Sequence, residues 1–88
     1  MKIITIYYSS HFARAFQKLE TQIRKRAILK EKIFRSNCFD QTLNTHKLKR
    51  ELQPYWAFSI NRSYRIIFEF TKDGSVGFID IGTHYIYG

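Results

Sequence analysis

The chain has 88 residues, 44% of them apolar, with eight Phe, six Tyr and one Trp, a content that supplies one hydrophobic core and argues against disorder. A domain of this size buries only roughly 60 to 65% of its unfolded surface, which leaves no room for a second domain over residues 1–88 and confines any site to one sheet face or a shallow groove. Fifteen Lys and Arg against seven Asp and Glu give a net charge of +8 and a pI near 9.9, a field that gathers RNA, DNA or an acidic protein.

In chain order, residues 2–8, "KIITIYY", are rich in β-branched and aromatic side chains and predict a strand, after which Ser9 and Ser10 offer hydroxyls to cap a helix. Phe12, Phe16, Leu19, Ile23 and Ala27 recur at helical spacing, and Arg14, Lys18, Arg24, Lys25, Lys30 and Lys32 fall on the opposite face. The pattern persists to about Arg35. One helix of that length would run roughly 37 Å and overhang the domain, so two helices with a break near Glu20 to Gln22 are expected. Residues 36–46 carry turn formers and read as a loop.

Pro54 opens the next strand, in which Trp56, Phe58 and Ile60 alternate with Tyr55, Ala57 and Ser59. After a turn at Asn61 to Ser63, "YRIIFEF" places Tyr64, Ile66, Phe68 and Phe70 on one side and Arg65, Ile67 and Glu69 on the other. Asp73-Gly74 signals a hairpin into the last strand, "SVGFIDIG". The fold class expected is α+β: an N-terminal strand, two helices, then a three-stranded antiparallel meander, with the helices packed on one face of the sheet.

Cys38 is the sole cysteine, so an internal disulfide and a cysteine metal cluster are excluded, and burial as a small apolar residue is the simplest role for it. No apolar run reaches the roughly 18 residues of a membrane span, and "MKIITIYYSS" lacks the apolar core and cleavage site of a signal peptide. A soluble, cytoplasmic protein with no membrane partner and no cofactor is the expectation.

If the helices cover the face bearing Ile66 and Phe68, Arg65 points to the uncovered face. There it is either half of an ion pair with Asp80 or Glu69, or a guanidinium presented to a phosphate. Between residues 44 and 65 five Lys or Arg stand against one Glu, so basic groups gather around one strand pair and its entry loop. Tyr55, Trp56 and the terminal tyrosines add aromatic surface, the combination that binds single-stranded nucleic acid by stacking and phosphate contact. Of the three histidines, His11 reads as a surface or packing residue, whereas His46 and His84 border the same sheet. Two imidazoles bracketing an arginine suit metal-free RNA cleavage: a base deprotonates the 2′-hydroxyl, the guanidinium stabilises the charged phosphorane, and an acid protonates the leaving 5′ oxygen. Glycine-rich phosphate loops, paired cysteine ligands, HExxH and serine-nucleophile motifs are absent from the sequence.

The segments "HKLKREL", "YWAFSINRSYRIIFEF" and "VGFIDIGTHYIYG", behind a strand and two basic helices, resemble the RelE/ParE superfamily of type II toxin-antitoxin toxins across essentially the whole chain. Gly82-Thr83-His84 followed by an aromatic is similar to the YafQ branch of its mRNA interferases. The resemblance implies a ribosome-dependent endoribonuclease that cuts mRNA in the A site and is silenced by an acidic antitoxin within a hetero-oligomer. It implies catalytic roles for His84, Arg65 and His46, with His84 as general acid or base, Arg65 as transition-state stabiliser and His46 as a second proton-transfer or phosphate group. Lys47, Lys49, Arg50 and Arg62 would hold RNA, and Tyr85 or Tyr87 would stack on a base. Where RelE carries second-strand lysines this chain has Ala57 and Ser59. A ParE-like gyrase inhibitor, or an inactive corepressor that keeps the antitoxin interface, shares the fold and is the alternative.

Overall fold

The structure, a computed structural model, describes residues 1–49 and 52–83. The first strand, β1 (Thr5–Tyr8), is shorter than the expected 2–8. Before it the backbone pairs elsewhere: Ile3 N donates to Arg35 O at 2.9 Å and Ile4 N to Gly74 O at 2.8 Å, holding the chain start against the second helix and the hairpin. Ser9 then caps α1 (Ser10–Gln17), its Oγ accepting from Phe12 N at 2.9 Å and donating to Ile79 O at 3.0 Å.

Two helices form, as expected, with the break at Lys18–Glu20 rather than at Glu20 to Gln22 before α2 (Thr21–Ser36). The last turn of α1 tightens, with Lys18 N on Ala15 O and Leu19 N on Phe16 O. Arg24 folds back to donate to Gln17 O at 3.2 Å and to Leu19 O, which satisfies carbonyls that the end of α1 leaves without helical partners. At 16 residues α2 runs about 24 Å, a length the sheet can cover.

Residues 36–46 correct the expectation of a plain loop. Asp40 caps a 3₁₀ turn at Gln41–Leu43, accepting from Thr42 N at 2.9 Å, and β2 (His46–Lys47) follows as a two-residue edge strand. The Thr42 hydroxyl and amide hold the Asp40 carboxyl below its ordinary range. Pro54 lies in the turn ahead of β3 (Trp56–Ser59) instead of opening it; β4 (Tyr64–Phe70) and β5 (Ser75–Thr83) complete the sheet. Asp73 and Gly74 both take positive φ, 58° and 76°, as a tight hairpin turn requires.

The sheet has five strands in the order β1-β5-β4-β3-β2, with β1 parallel to β5 and the other pairs antiparallel. Both helices pack on one face. Phe34 from α2 is the centre of that layer, its ring 4.5 Å from Phe58, 4.9 Å from Phe68 and 5.6 Å from Phe78, so one helical side chain meets three strands. Ile66 and Ile81, with Leu43 and Cys38 from the connecting segment, close the core. Burial pushes the Cys38 thiol above its ordinary range, which keeps it a neutral packing group.

The second face is not bare. Leu48, Ala57 and Ile67 form a small cluster with Leu52, Tyr55 and Ile79, and Leu48 N bonds Tyr55 O at 2.9 Å, so these side chains cover part of that face. No described helix is long and apolar enough to cross a membrane.

Candidate functional site

Strand pairing places the candidate groups in rows across the open face, since residues directly opposite one another share a side. One row runs Ser59, Arg65, Gly82; the next runs His46, Ala57, Ile67, Asp80. Arg65 is therefore in mid-sheet on the face away from the helices, as alternation predicts. Neither proposed ion pair forms: among the described residues no carboxylate lies within 4.0 Å of its guanidinium, and its Nη1 donates only weakly, at 3.5 Å, to Arg62 O. The local turn explains that contact. Asn61 Oδ1 accepts from Ser63 N at 2.9 Å and Tyr64 N at 2.8 Å, and the compact turn presents the Arg62 carbonyl towards Arg65 while the Arg62 side chain stays exposed.

His46 reaches the same face from the edge strand. Its Nδ1 lies 2.9 Å from Asn44 O; a carbonyl only accepts, so the contact assigns the ring proton to Nδ1 and leaves Nε2 as an acceptor. Lys47, one residue on, pairs with Trp56 and is directed to the helix side. Lys49, next to Leu48, is exposed. Trp56 packs edge-on against Phe39 and Phe70, with ring centroids at 5.7 and 5.3 Å, so it belongs to the core side and not to an RNA-stacking surface. Its alternation with Phe58 already carried that signal. The expectations for Arg50, His84, Tyr85 and Tyr87 lie outside the described residues.

Sequence reasoning missed one pair. His11, read as a surface or packing residue, has its Nε2 3.0 Å from Asp80 Oδ1. The carboxylate is also held by the Ile81 N–H at 2.8 Å. Sixty-nine residues separate the partners, and no spacing rule joins them.

A groove of about 360 Å³ lies on the opposite face, between α1 and α2, with an apolar lining that includes Tyr8, Phe12, Phe16 and Ile28. Tyr8 donates to Glu31 at its mouth, and Arg35 lies 3.7 Å from the same carboxylate. Burial, followed by the Glu31 hydrogen bond and charge, raises the Tyr8 phenol above its ordinary range. This groove holds no basic catalytic group and is separated from Arg65 by the sheet.

No family model and no curated protein matches the sequence. Solved structures do match the fold. The YoeB/ParE toxin from Agrobacterium tumefaciens superposes with a TM-score of 0.78 at 14% identity, over 93% of this chain and 100% of that one. YafQ in the DinJ-YafQ toxin-antitoxin complex of E. coli gives 0.76 at 16% identity over 100% of both chains. The chain has the RelE-like toxin fold. The archaeal RelE-RelB complex from Pyrococcus horikoshii agrees, at a TM-score of 0.73 and 15% identity over 94% of this chain and 96% of the other. Within the RelE-like fold, Arg65 and His46 stand on the sheet face that the two helices leave open.

Proposed function

We propose that this chain is the toxin of a type II toxin-antitoxin pair and a metal-independent endoribonuclease that cuts mRNA in the ribosomal A site. The observation that carries the reading is Arg65: a guanidinium in mid-sheet, on the open face, without a carboxylate partner among the described residues. A cation held by a strand and left unneutralised is suited to a phosphate that gains charge in the transition state. His46 supplies an imidazole on the same face, and His84 the acid or base that the resemblance assigns to it. Lys49, Arg50 and Arg62 add positive charge for RNA, and Tyr85 or Tyr87 an aromatic platform for a base.

The reaction needs only proton transfer and charge stabilisation. The 2′ oxygen attacks phosphorus as its proton leaves, the P–O5′ bond breaks, and the 5′ oxygen takes a proton, giving a 2′,3′-cyclic phosphate and a 5′-hydroxyl. An acidic antitoxin fits the +8 chain, and the solved complexes of DinJ with YafQ and of RelB with RelE support a partner of this kind.

Primer extension on a reporter mRNA in a reconstituted translation system, with and without ribosomes, tests the reading. Wild-type protein should give stops at A-site codons only with ribosomes present, and His84→Ala and Arg65→Ala should lose them. Intact mRNA with folded wild-type protein would transfer the assignment to the ParE-like alternative, which a gyrase supercoiling assay then examines.

A further inference from the structure

We propose that His11, oriented by Asp80, is the general base of the open-face site, taking the 2′-hydroxyl proton of an RNA whose phosphate rests on Arg65. The inference rests on the ribonuclease reading and adds to it a residue from the first helix.

The position comes from the sheet. Asp80 is opposite Ile67 and one strand over from Arg65, a diagonal pair whose Cα atoms sit about 7 to 8 Å apart in regular ladders. His46 is two strands from Arg65, and a span from His46 to Asp80 crosses three strand spacings, about 14 Å. Among the described residues Asp80 thus ties the His11 imidazole to a position one strand over from Arg65. A β-bulge makes it so: β5 carries Ile79 as an extra residue between Phe78, opposite Phe68, and Asp80, opposite Ile67. Such an insertion re-aims the following side chain, and here it brings Asp80 to the start of α1.

The chemistry follows from which atoms are engaged. Asp80 Oδ1 accepts from Ile81 N at 2.8 Å and faces His11 Nε2 at 3.0 Å, so in the neutral ring the proton sits on Nε2 and the Nδ1 lone pair is engaged by none of the described residues. The carboxylate is 23% exposed and the imidazole 61%, so the orienting group is sheltered and the accepting group is open. A base held by a third group in this way is the arrangement that nucleophile activation requires. Fastening α1 to the sheet does not require it: Ser9 already does so through Phe78 O at 3.1 Å and Ile79 O at 3.0 Å, and an exposed ion pair adds little stability. In the step itself the 2′-hydroxyl proton passes to His11 Nδ1, the oxygen's electron pair forms the bond to phosphorus, and the imidazolium is stabilised by Asp80. The 5′ oxygen leaves with a proton from a second imidazole in its protonated form, the role the ribonuclease reading gives to His84.

The test is single-turnover cleavage of mRNA on programmed ribosomes, with melting curves for every variant. His11→Ala should slow cleavage about 10²- to 10⁴-fold, and added imidazole should restore part of the rate. His11→Gln, which keeps a donor towards Asp80, should be equally slow with wild-type melting. Asp80→Asn should lose less, and the double variant should match His11→Ala, because the two residues act as one unit. Wild-type rates in His11→Gln would overturn the proposal, as would a slow His11→Ala with lowered melting and no imidazole response; in either case loss of cleavage in Arg65→Ala leaves the ribonuclease reading standing. A wild-type protein that cleaves nothing would overturn both.

Discussion

Arg65 lies directly opposite Gly82 across the β4–β5 ladder, so the position facing it on the last strand contributes no side chain. On the other flank it faces Ser59, a small polar residue. The two positions directly facing it therefore place no bulky side chain beside the guanidinium. Because no described carboxylate neutralises it, Arg65→Ala should leave the melting temperature almost unchanged, within the roughly 0.5 kcal/mol typical of surface substitutions. Single-turnover cleavage should fall about 10²- to 10³-fold, the usual cost of removing one transition-state donor. Arg65→Lys should recover only part of this, since an ammonium lacks the planar fork.

Phe34 is the side chain on which the helix layer depends. It is fully buried and in ring contact with Phe58, Phe68 and Phe78. Phe34→Ala should cost about 3 to 5 kcal/mol, a large share of the roughly 5 to 15 kcal/mol that holds a domain folded. Urea titration should show a much lower midpoint, with Phe34→Leu between the variant and wild type. A midpoint equal to wild type would mean that the three strands are not gathered by this one ring.

The strands with long alternation were legible before the structure. Tyr64, Ile66, Phe68 and Phe70 were separated from Arg65 and Ile67 by period alone, and the helix stripe through Phe12 and Phe16 was equally plain. What could not be read was decided at long range. Two residues, His46 and Lys47, are too few for a period, and they become a strand only because Ala57 and Trp56 offer a free edge. The helix break falls at Lys18–Glu20, where Arg24 donates to the Gln17 and Leu19 carbonyls, a contact that spacing alone does not announce. His11 and Asp80 meet because Ile79 is inserted in β5 and Ser9 starts α1 beside it, and neither fact leaves a local pattern.

Tyr8 predicts behaviour in alkali. Its phenol is shifted above the ordinary value of 10.0 by burial and by the Glu31 carboxylate. A folded-state pKa above the unfolded one means that the folded chain holds the proton longer. The contribution is complete below about pH 10 and is lost as pH rises through the folded value. Thermal melts followed from pH 9 upward should therefore decline more steeply for wild type than for Tyr8→Phe. Parallel declines would show that the folded chain does not hold the Tyr8 proton longer than the unfolded one.

Ser9 joins local structure to the site, since one hydroxyl both caps α1 and ties it to β5. It accepts from Phe12 N at 2.9 Å and donates to Ile79 O at 3.0 Å. Loss of a serine cap costs typically about 1 kcal/mol, which in a domain of this size lowers the melting temperature by about 4 to 8 °C. Ser9→Ala should show at least that loss, and Ser9→Thr, which keeps the hydroxyl, should recover most of it. Hydrogen exchange locates the effect: the Phe12 amide should lose protection in Ser9→Ala while amides in the middle of β4 keep theirs. Uniform loss across both would mean that the cap supports the whole fold rather than the first helical turn. Because His11 is two residues beyond Ser9, freeing this turn should also slow RNA cleavage in Ser9→Ala, and the same Ser9→Thr variant should restore the rate.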